Sequence, residues 1–364
     1  MSDPSFADRI GQILEAGALN VTLGLGYELG LFEALDGAGP LTLEELAAKA
    51  EVDPRYLREW LGAMLSGGVL EVTSEDDSAE RYLLPPERGQ VLCRRGGTAN
   101  LGVYTQELGL LVEAALGGVR SGFRSGRGLG YERYPAFHAF MSELADRKHE
   151  QTLIQEFLPS VAGGVVLARL QEGAQVCDLG CGAGRALLLL AAAFPQSQFV
   201  GIDFDRGALA AGEAAAEFRG LGNVEFVVRD AATLAGDPGA LAGRFDWVTA
   251  FDAIHDQADP AAALRGVAAL LAPEGRFSLV DVDAETGLEA NRERPLAPFL
   301  YTVSLLHCLP IGLGPEGKGA GLGMLWGRGK ARQLLGEAGL ELLEESPCDA
   351  FNVHYLARRE SSKR

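Results

Sequence analysis

The sequence predicts an α/β protein. A doubly wound, mostly parallel sheet occupies residues 166–364, behind a mostly helical module over residues 1–90 and a helical connector over 91–165. Three observations predict this. From about residue 174, short apolar runs alternate with helical stretches, an order that builds a parallel sheet with helices on both faces. The first run ends in "DLGCGAG", a glycine-rich loop at the strand end where such sheets bind ligands. The first ninety residues read helix, turn, helix and hairpin, which describes a winged helix.

In the first module, Thr42 starts a helix and Glu45 completes a capping box. Asp53 caps the next helix, with Pro54 at its first position, where a missing N–H costs nothing. Gly67 and Gly68 end that helix, and a strand begins at Val69 to Val72. A winged helix raises the question of DNA. The hairpin tip carries Glu75, Asp76 and Asp77, and residues 1–100 hold about nine more acids than bases. A phosphate backbone needs the opposite sign. A packing and dimerisation module is the expected reading, rather than one that binds nucleic acid.

The connector begins with a Gly/Arg/Ser stretch, "GGVRSGFRSGRGLG", read as a loop, and returns to helical spacing at "PAFHAFMSELADRKHEQTLIQEFL". Strands follow at "AQVCDLG", "SQFVGID", "VEFVVRD", "RFDWVTAF" and "GRFSLVDV", with helices between them. After an insertion at about 284–327, read as a lid, come a helix and two last strands, making seven.

Composition bounds the function. The chain has 364 residues, 47% hydrophobic and 23% charged, enough for two domains. No apolar run reaches the length of a membrane span, and the N-terminus lacks a secretory pattern. A net charge of −18 opposes nucleic-acid binding. Five cysteines without tight pairing fit a reducing compartment. The expectation is a cytoplasmic enzyme with a small-molecule substrate.

Gly180, Gly182 and Gly184 let the backbone turn and approach a ligand. A dinucleotide loop needs a further glycine where Arg185 stands. Asp178, just before the loop, suits a cationic or amino-bearing ligand better than a pyrophosphate. Asp203, closing the second strand, suits ribose hydroxyls. Asp230 ends the third strand, placed to accept from an adenine amino group.

Together "VCDLGCGAG", "FVGIDFD", "VVRDAATL", "FDWVTAFDAIHD" and "LLAPEGRFSLVDV" resemble the class I S-adenosylmethionine-dependent methyltransferases. The resemblance implies a Rossmann-like seven-stranded domain with S-adenosylmethionine as cofactor. It places Asp178 and the three glycines at the methionine end, Asp203 on the ribose, and Phe204 on the adenine. Asp230 with Ala231 reads the adenine amino group, and Phe251 joins the pocket. With "GYERYPAFHAFMSEL" and "GLGMLWG", the whole chain resembles a bacterial-type group of methyltransferases with an N-terminal winged helix. "HDQAD" resembles the H-D-W-x-D stretch of small-molecule O-methyltransferases, with Gln257 in place of tryptophan. That makes His255 the candidate catalytic base. The alternative is that His255 and Asp256 cap the following helix or close the cofactor pocket without proton transfer.

Other motifs fail their own requirements. "GLGPEGKG" has Gly319 where a phosphate loop needs Ser or Thr, and reads instead as a mobile cover. Glu150 follows His149, but Leu153 stands where a helical zinc motif needs histidine, and no metal site is expected. Cys177, on a buried strand, reads as core, whereas Cys308 and Cys348 lie far along the chain. Tyr131, Tyr134, Phe137, Phe140, Tyr301, His307 and Trp326 are candidates for an acceptor pocket or for ordinary core.

Overall fold

The computed structural model describes residues 5–73 and 79–360. They fall into two compact units, Met1–Glu113 and Ala114–Arg364, so the expected connector is shared between them.

In the first unit, Ser5 and Asp8 form a capping box at the start of a long helix, Phe6–Glu28. The Thr42–Glu45 box opens the helix Leu43–Ala50, and Asp53 caps Pro54–Ser66, both as the sequence requires. Leu57, Trp60, Leu61 and Met64 form the buried face of the second of these helices. Trp60 packs on Phe32 and donates its indole N–H to the Thr22 carbonyl at 2.9 Å. The wing pairs β1 (Glu71–Thr73) with β2 (Arg81–Leu83), antiparallel. The strand starts two residues later than the sequence suggests. The N–H groups of Val69 and Leu70 are spent on the Met64 carbonyl, closing the helix. The acidic hairpin tip, Glu75 to Asp77, lies outside the described residues.

The helix Glu107–Ser125 runs through "GGVRSGFRS", where a loop was expected. Glycine serves close packing here rather than a turn. A Cβ at Gly118 would lie 2.4 Å from Leu129, and one at Gly122 would lie 2.9 Å from the Arg127 carbonyl.

The second unit is built on seven strands: β3 (Gln175–Leu179), β4 (Gln198–Asp203), β5 (Val224–Val228), β6 (Phe245–Phe251), β7 (Leu271–Val282), β8 (Leu340–Pro347) and β9 (Asn352–Arg359). Their order is β5-β4-β3-β6-β7-β9-β8, with β9 antiparallel to both its neighbours and the first five parallel. Alternating side chains enter opposite layers, as a pleated strand requires. Val176 and Phe199 pack with Leu187 and Leu190 on one face. Their neighbours Cys177 and Val200 pack with Leu264, Val267 and Leu335 on the other.

Residues 153–172 are, contrary to the sequence expectation, long and apolar enough as a helical stretch to match a membrane span. The stretch is not one continuous helix. Ala162 and Gly163 take left-handed φ of 51° and 61°, and Leu153, Leu158, Val161, Val166 and Leu170 are buried in the core. The buried residues make up 33% of its span-length window.

In the insertion, the helices Ala297–Leu306 and Cys308–Leu313 break at His307, whose φ/ψ of −131°/−75° is not helical. "GLGPEGKG" follows a helix rather than a strand, which removes the remaining phosphate-loop reading. Backbone N–H groups of Gly128 and Leu129 donate to Gly314 and Pro310, and Ala320 donates to Ala258. The segment is thus pinned beside the loop that carries His255.

Candidate active site

The strand order reverses between β3 and β6, so the loops leaving these strands part and leave a crevice at their carboxyl ends. The glycine loop follows β3. Gly180, Gly182 and Gly184 have φ of 71°, 53° and 67°, a region that other residues enter only with strain. Space adds to the requirement. A Cβ on Gly180 would lie 2.6 Å from Ala253 in the loop after β6, and one on Gly184 would lie 2.4 Å from the Phe226 ring. Nothing lies within 4 Å of a Cβ on Gly182. The loop is a backbone cradle with one open glycine, which fits an extended ligand passing over it.

Asp178 is buried on β3, opposite Thr249 on β6, whose hydroxyl donates to it at 2.7 Å. Burial raises its pKa to about 7, offset in part by Thr249, with Asp203 pushing it further up. A buried carboxyl of this kind favours a cation. Asp203 ends β4. Its two oxygens accept the backbone N–H groups of Gly182 and Asp205, each at 2.9 Å. Asp203 therefore fastens the glycine loop to β4, and each oxygen retains acceptor capacity for a further hydroxyl. Burial raises its pKa while those N–H groups lower it.

Asp230 is exposed and caps the short turn at Ala231–Thr233, accepting from the Ala232 N–H at 2.9 Å. Ala231 is buried beneath it. Phe204 is 51% exposed, with Tyr131 edge-on at 5.4 Å between ring centres. Phe251 turns toward the helical segment before β3, its ring 5.0 Å from His149 and 5.9 Å from Phe157.

His255 sits on the loop after β6 and is 2% exposed. Its Nδ1 is 2.8 Å from Oδ1 of Asp281 on β7, and its Nε2 is 3.4 Å from Oδ1 of Asp256. Burial opposes charge on the ring, but the two carboxylates outweigh it and hold the imidazole pKa well above its ordinary value. The following helix, Pro260–Leu270, is capped by Asp259, which accepts from the Ala262 N–H at 2.8 Å. Helix capping is thus done by Asp259, and the side chains of His255 and Asp256 instead pair with each other and with Asp281 and His307.

The aromatic candidates separate. Tyr131, Tyr134 and Phe137 all pack around the His307 ring, with centroids 5.9, 5.0 and 4.3 Å away. Tyr134 also donates its hydroxyl to the Leu306 carbonyl at 2.7 Å. Phe140 stacks behind Phe137. Trp326 instead joins the main core. His307 Nδ1 lies 3.8 Å from Asp256, so this aromatic wall reaches the His255 loop.

Sequence reasoning named His307 as a pocket candidate but missed Asp281, Thr249 and Cys308 as parts of the site. Asp281 lies inside "LVDVD", where it reads as one strand residue among several. Cys308 was noted only as remote, yet donor atoms of His255, Asp256 and Cys308 lie within 4.8 Å of one another. That convergence departs from the expectation of no metal site.

Residues 170–297 match the family model described as a methyltransferase domain, and residues 17–94 match one described as an Rv2258c-like winged HTH domain. Nocamycin O-methyltransferase of Saccharothrix syringae is 34% identical over 132 residues, 36% of this chain and 46% of that protein. The match thus spans about half the length of that relative. Human N-acetylserotonin methyltransferase, solved in complex with SAM, shares the fold at a TM-score of 0.67 and 20% identity, over 99% of this chain and 100% of that one. An O-methyltransferase family protein from Burkholderia thailandensis does so at 0.68 and 17%, over the whole of both chains. Mitomycin 7-O-methyltransferase does so at 0.65 and 19%, over 97% of each. With a glycine cradle at the switch point of a seven-stranded sheet and a winged helix before it, the chain carries a methyltransferase domain behind an N-terminal winged HTH domain.

Proposed function

We propose that this chain transfers the methyl group of S-adenosylmethionine to a hydroxyl of a small aromatic or enolic acceptor. The observation that carries the reading is the meeting of two features at one crevice. The glycine cradle touches the loop that holds His255, beside an aromatic wall. The cradle fits the cofactor. It has an open glycine, a buried carboxyl for an ammonium or sulfonium group, and Asp203 for ribose hydroxyls. Phe204 and Asp230 with Ala231 complete the adenine end, and Phe251, packed on His149 and Phe157, bounds the other side of the pocket.

The bound cofactor supplies a methyl group already activated on a sulfonium. The protein's task is therefore alignment and proton removal. Tyr131, Tyr134 and Phe137 hold a flat acceptor, and the buried crevice excludes water. An acceptor hydroxyl at Nε2 of His255 displaces Asp256, one of the two carboxylates that favour the charged ring, and the ring, once neutral, takes the hydroxyl proton at Nε2. Asp281 keeps the ring oriented through Nδ1 and stabilises the imidazolium that forms. A positioned base contributes about 10² to 10⁴ in rate.

The same reading makes the chain a homodimer in the cytoplasm, without a nucleic-acid partner. The exposed apolar face of the first helix supports the dimer, and the net charge of −18 opposes nucleic acid. Methyl-labelled cofactor, incubated with the enzyme and the small-molecule fraction of a cell extract or a panel of phenols and enols, tests the function. Label should enter an acceptor with the wild type. His255→Gln should bind the cofactor as before and lose about 10² to 10⁴ in turnover. Turnover unchanged in that variant would remove His255 from proton transfer.

A further inference from the structure

We propose that His255, Asp256, His307 and Cys308 form a binding site for a zinc-class divalent cation. This goes beyond methyl transfer and does not depend on it, because the donors alone define the site. Imidazole, carboxylate and thiolate are the ligand types that zinc selects. The donor atoms of His255, Asp256 and Cys308 lie within 4.8 Å of one another. Nε2 of His255 is 3.4 Å from Asp256, and Nδ1 of His307 is 3.8 Å from both Asp256 and the Cys308 sulfur. Zinc bonds of about 2.0–2.3 Å in a tetrahedron separate neighbouring donors by about 3.3–3.6 Å. His255, Asp256 and Cys308 are therefore near the required spacing, and His307, which adjoins them through Asp256 and Cys308, completes the set by a side-chain rotation.

Two further observations point to a ligand. His255 has its other nitrogen held by Asp281 at 2.8 Å, the carboxylate–histidine arrangement that orients a metal ligand and fixes its tautomer. Oδ1 of Asp256 is a buried oxygen without a hydrogen-bond partner among the described residues. The fold also brings the donors together on purpose-built breaks. The helical break at His307 presents His307 and Cys308 side by side, and the loop after β6 presents His255 and Asp256. The aromatic ring of Tyr131, Tyr134 and Phe137 shields the cluster.

The test uses the full chain, purified without metal and titrated with Co²⁺ and then Zn²⁺. One equivalent of Co²⁺ should bind and give a thiolate-to-cobalt charge-transfer band, which Zn²⁺ bleaches. Cys308→Ser should lose the band, and Asp281→Asn should weaken binding about 10- to 100-fold. An unfolding midpoint in denaturant close to that of the wild type shows that Cys308→Ser is folded. X-ray absorption on the zinc-loaded wild type gives a second reading, with one sulfur at about 2.3 Å among nitrogen and oxygen neighbours. Absence of the band, its persistence in Cys308→Ser, or a sulfur-free shell would overturn the proposal. Failure here leaves cofactor binding and label transfer untouched, so it is distinguishable from failure of the methyltransferase reading.

Discussion

At the scale of single residues, Asp178 governs how the site responds to pH. The groups around it are Thr249, Asp203, Cys177 and Cys181, none of them cationic. Its pKa rises from 3.8 to about 7 on folding, so the folded chain binds the proton more tightly than the unfolded one. The sign follows directly. This group's contribution to stability is full below pH 4, falls as pH rises toward 7, and is level above that. The cofactor's cationic end needs the ionised form. Cofactor affinity should therefore fall about tenfold per pH unit below 7, and Asp178→Asn should flatten that slope. Calorimetric titrations between pH 5.5 and 8 measure it, and a flat wild-type profile would remove Asp178 from the cofactor site. Asp203→Ala should lose about 1.5–3 kcal/mol of cofactor binding, since a charge-assisted hydrogen bond and an anchor of the glycine loop go together.

At the scale of elements, the strand–loop–helix unit from β3 through Arg185–Ala193 is the most exacting. Gly184 combines a φ of 67° with the Phe226 ring 2.4 Å from a would-be Cβ. Gly184→Ala should cost about 1–3 kcal/mol of stability, read from denaturant unfolding, and should weaken the cofactor more than proportionally. Gly182→Ala meets no neighbour and should cost only the conformational strain. This unit was legible in the sequence because three glycines and two acids sit at fixed offsets from apolar strands. So were both helix caps of the winged helix, whose signals are local. The helix at Glu107–Ser125 was not, because its glycines answer to Leu129 and Arg127 across a turn, and propensity alone reads them as loop. Asp281, Cys308 and the approach of His307 to the His255 loop were hidden for the same reason. Each earns its place through a partner 26 to 52 residues away in sequence.

For the whole molecule, the first helix supplies the prediction about assembly. Phe6, Ile10, Ile13, Leu14, Val21 and Leu25 share one exposed face of Phe6–Glu28. Apolar stripes of this kind mark association surfaces. Replacing Ile13 and Leu14 with glutamate should shift the chain from dimer to monomer in light scattering after gel filtration. A wild type that is already monomeric would contradict the dimer. Fold class was readable from the alternation of strands and helices, and the seven strands appear in the described residues as expected. The acceptor was not readable, because the aromatic cluster proposed to hold it joins segments far apart in sequence, the Tyr131–Phe137 stretch and the insertion. The measurement that bears most directly on the account is a calorimetric titration of the purified chain with S-adenosylmethionine, with S-adenosylhomocysteine in parallel. The account predicts that both bind one to one, and that Asp203→Ala weakens both. Absence of binding by either, in a folded chain, would contradict the assignment of the "DLGCGAG" crevice as the cofactor site.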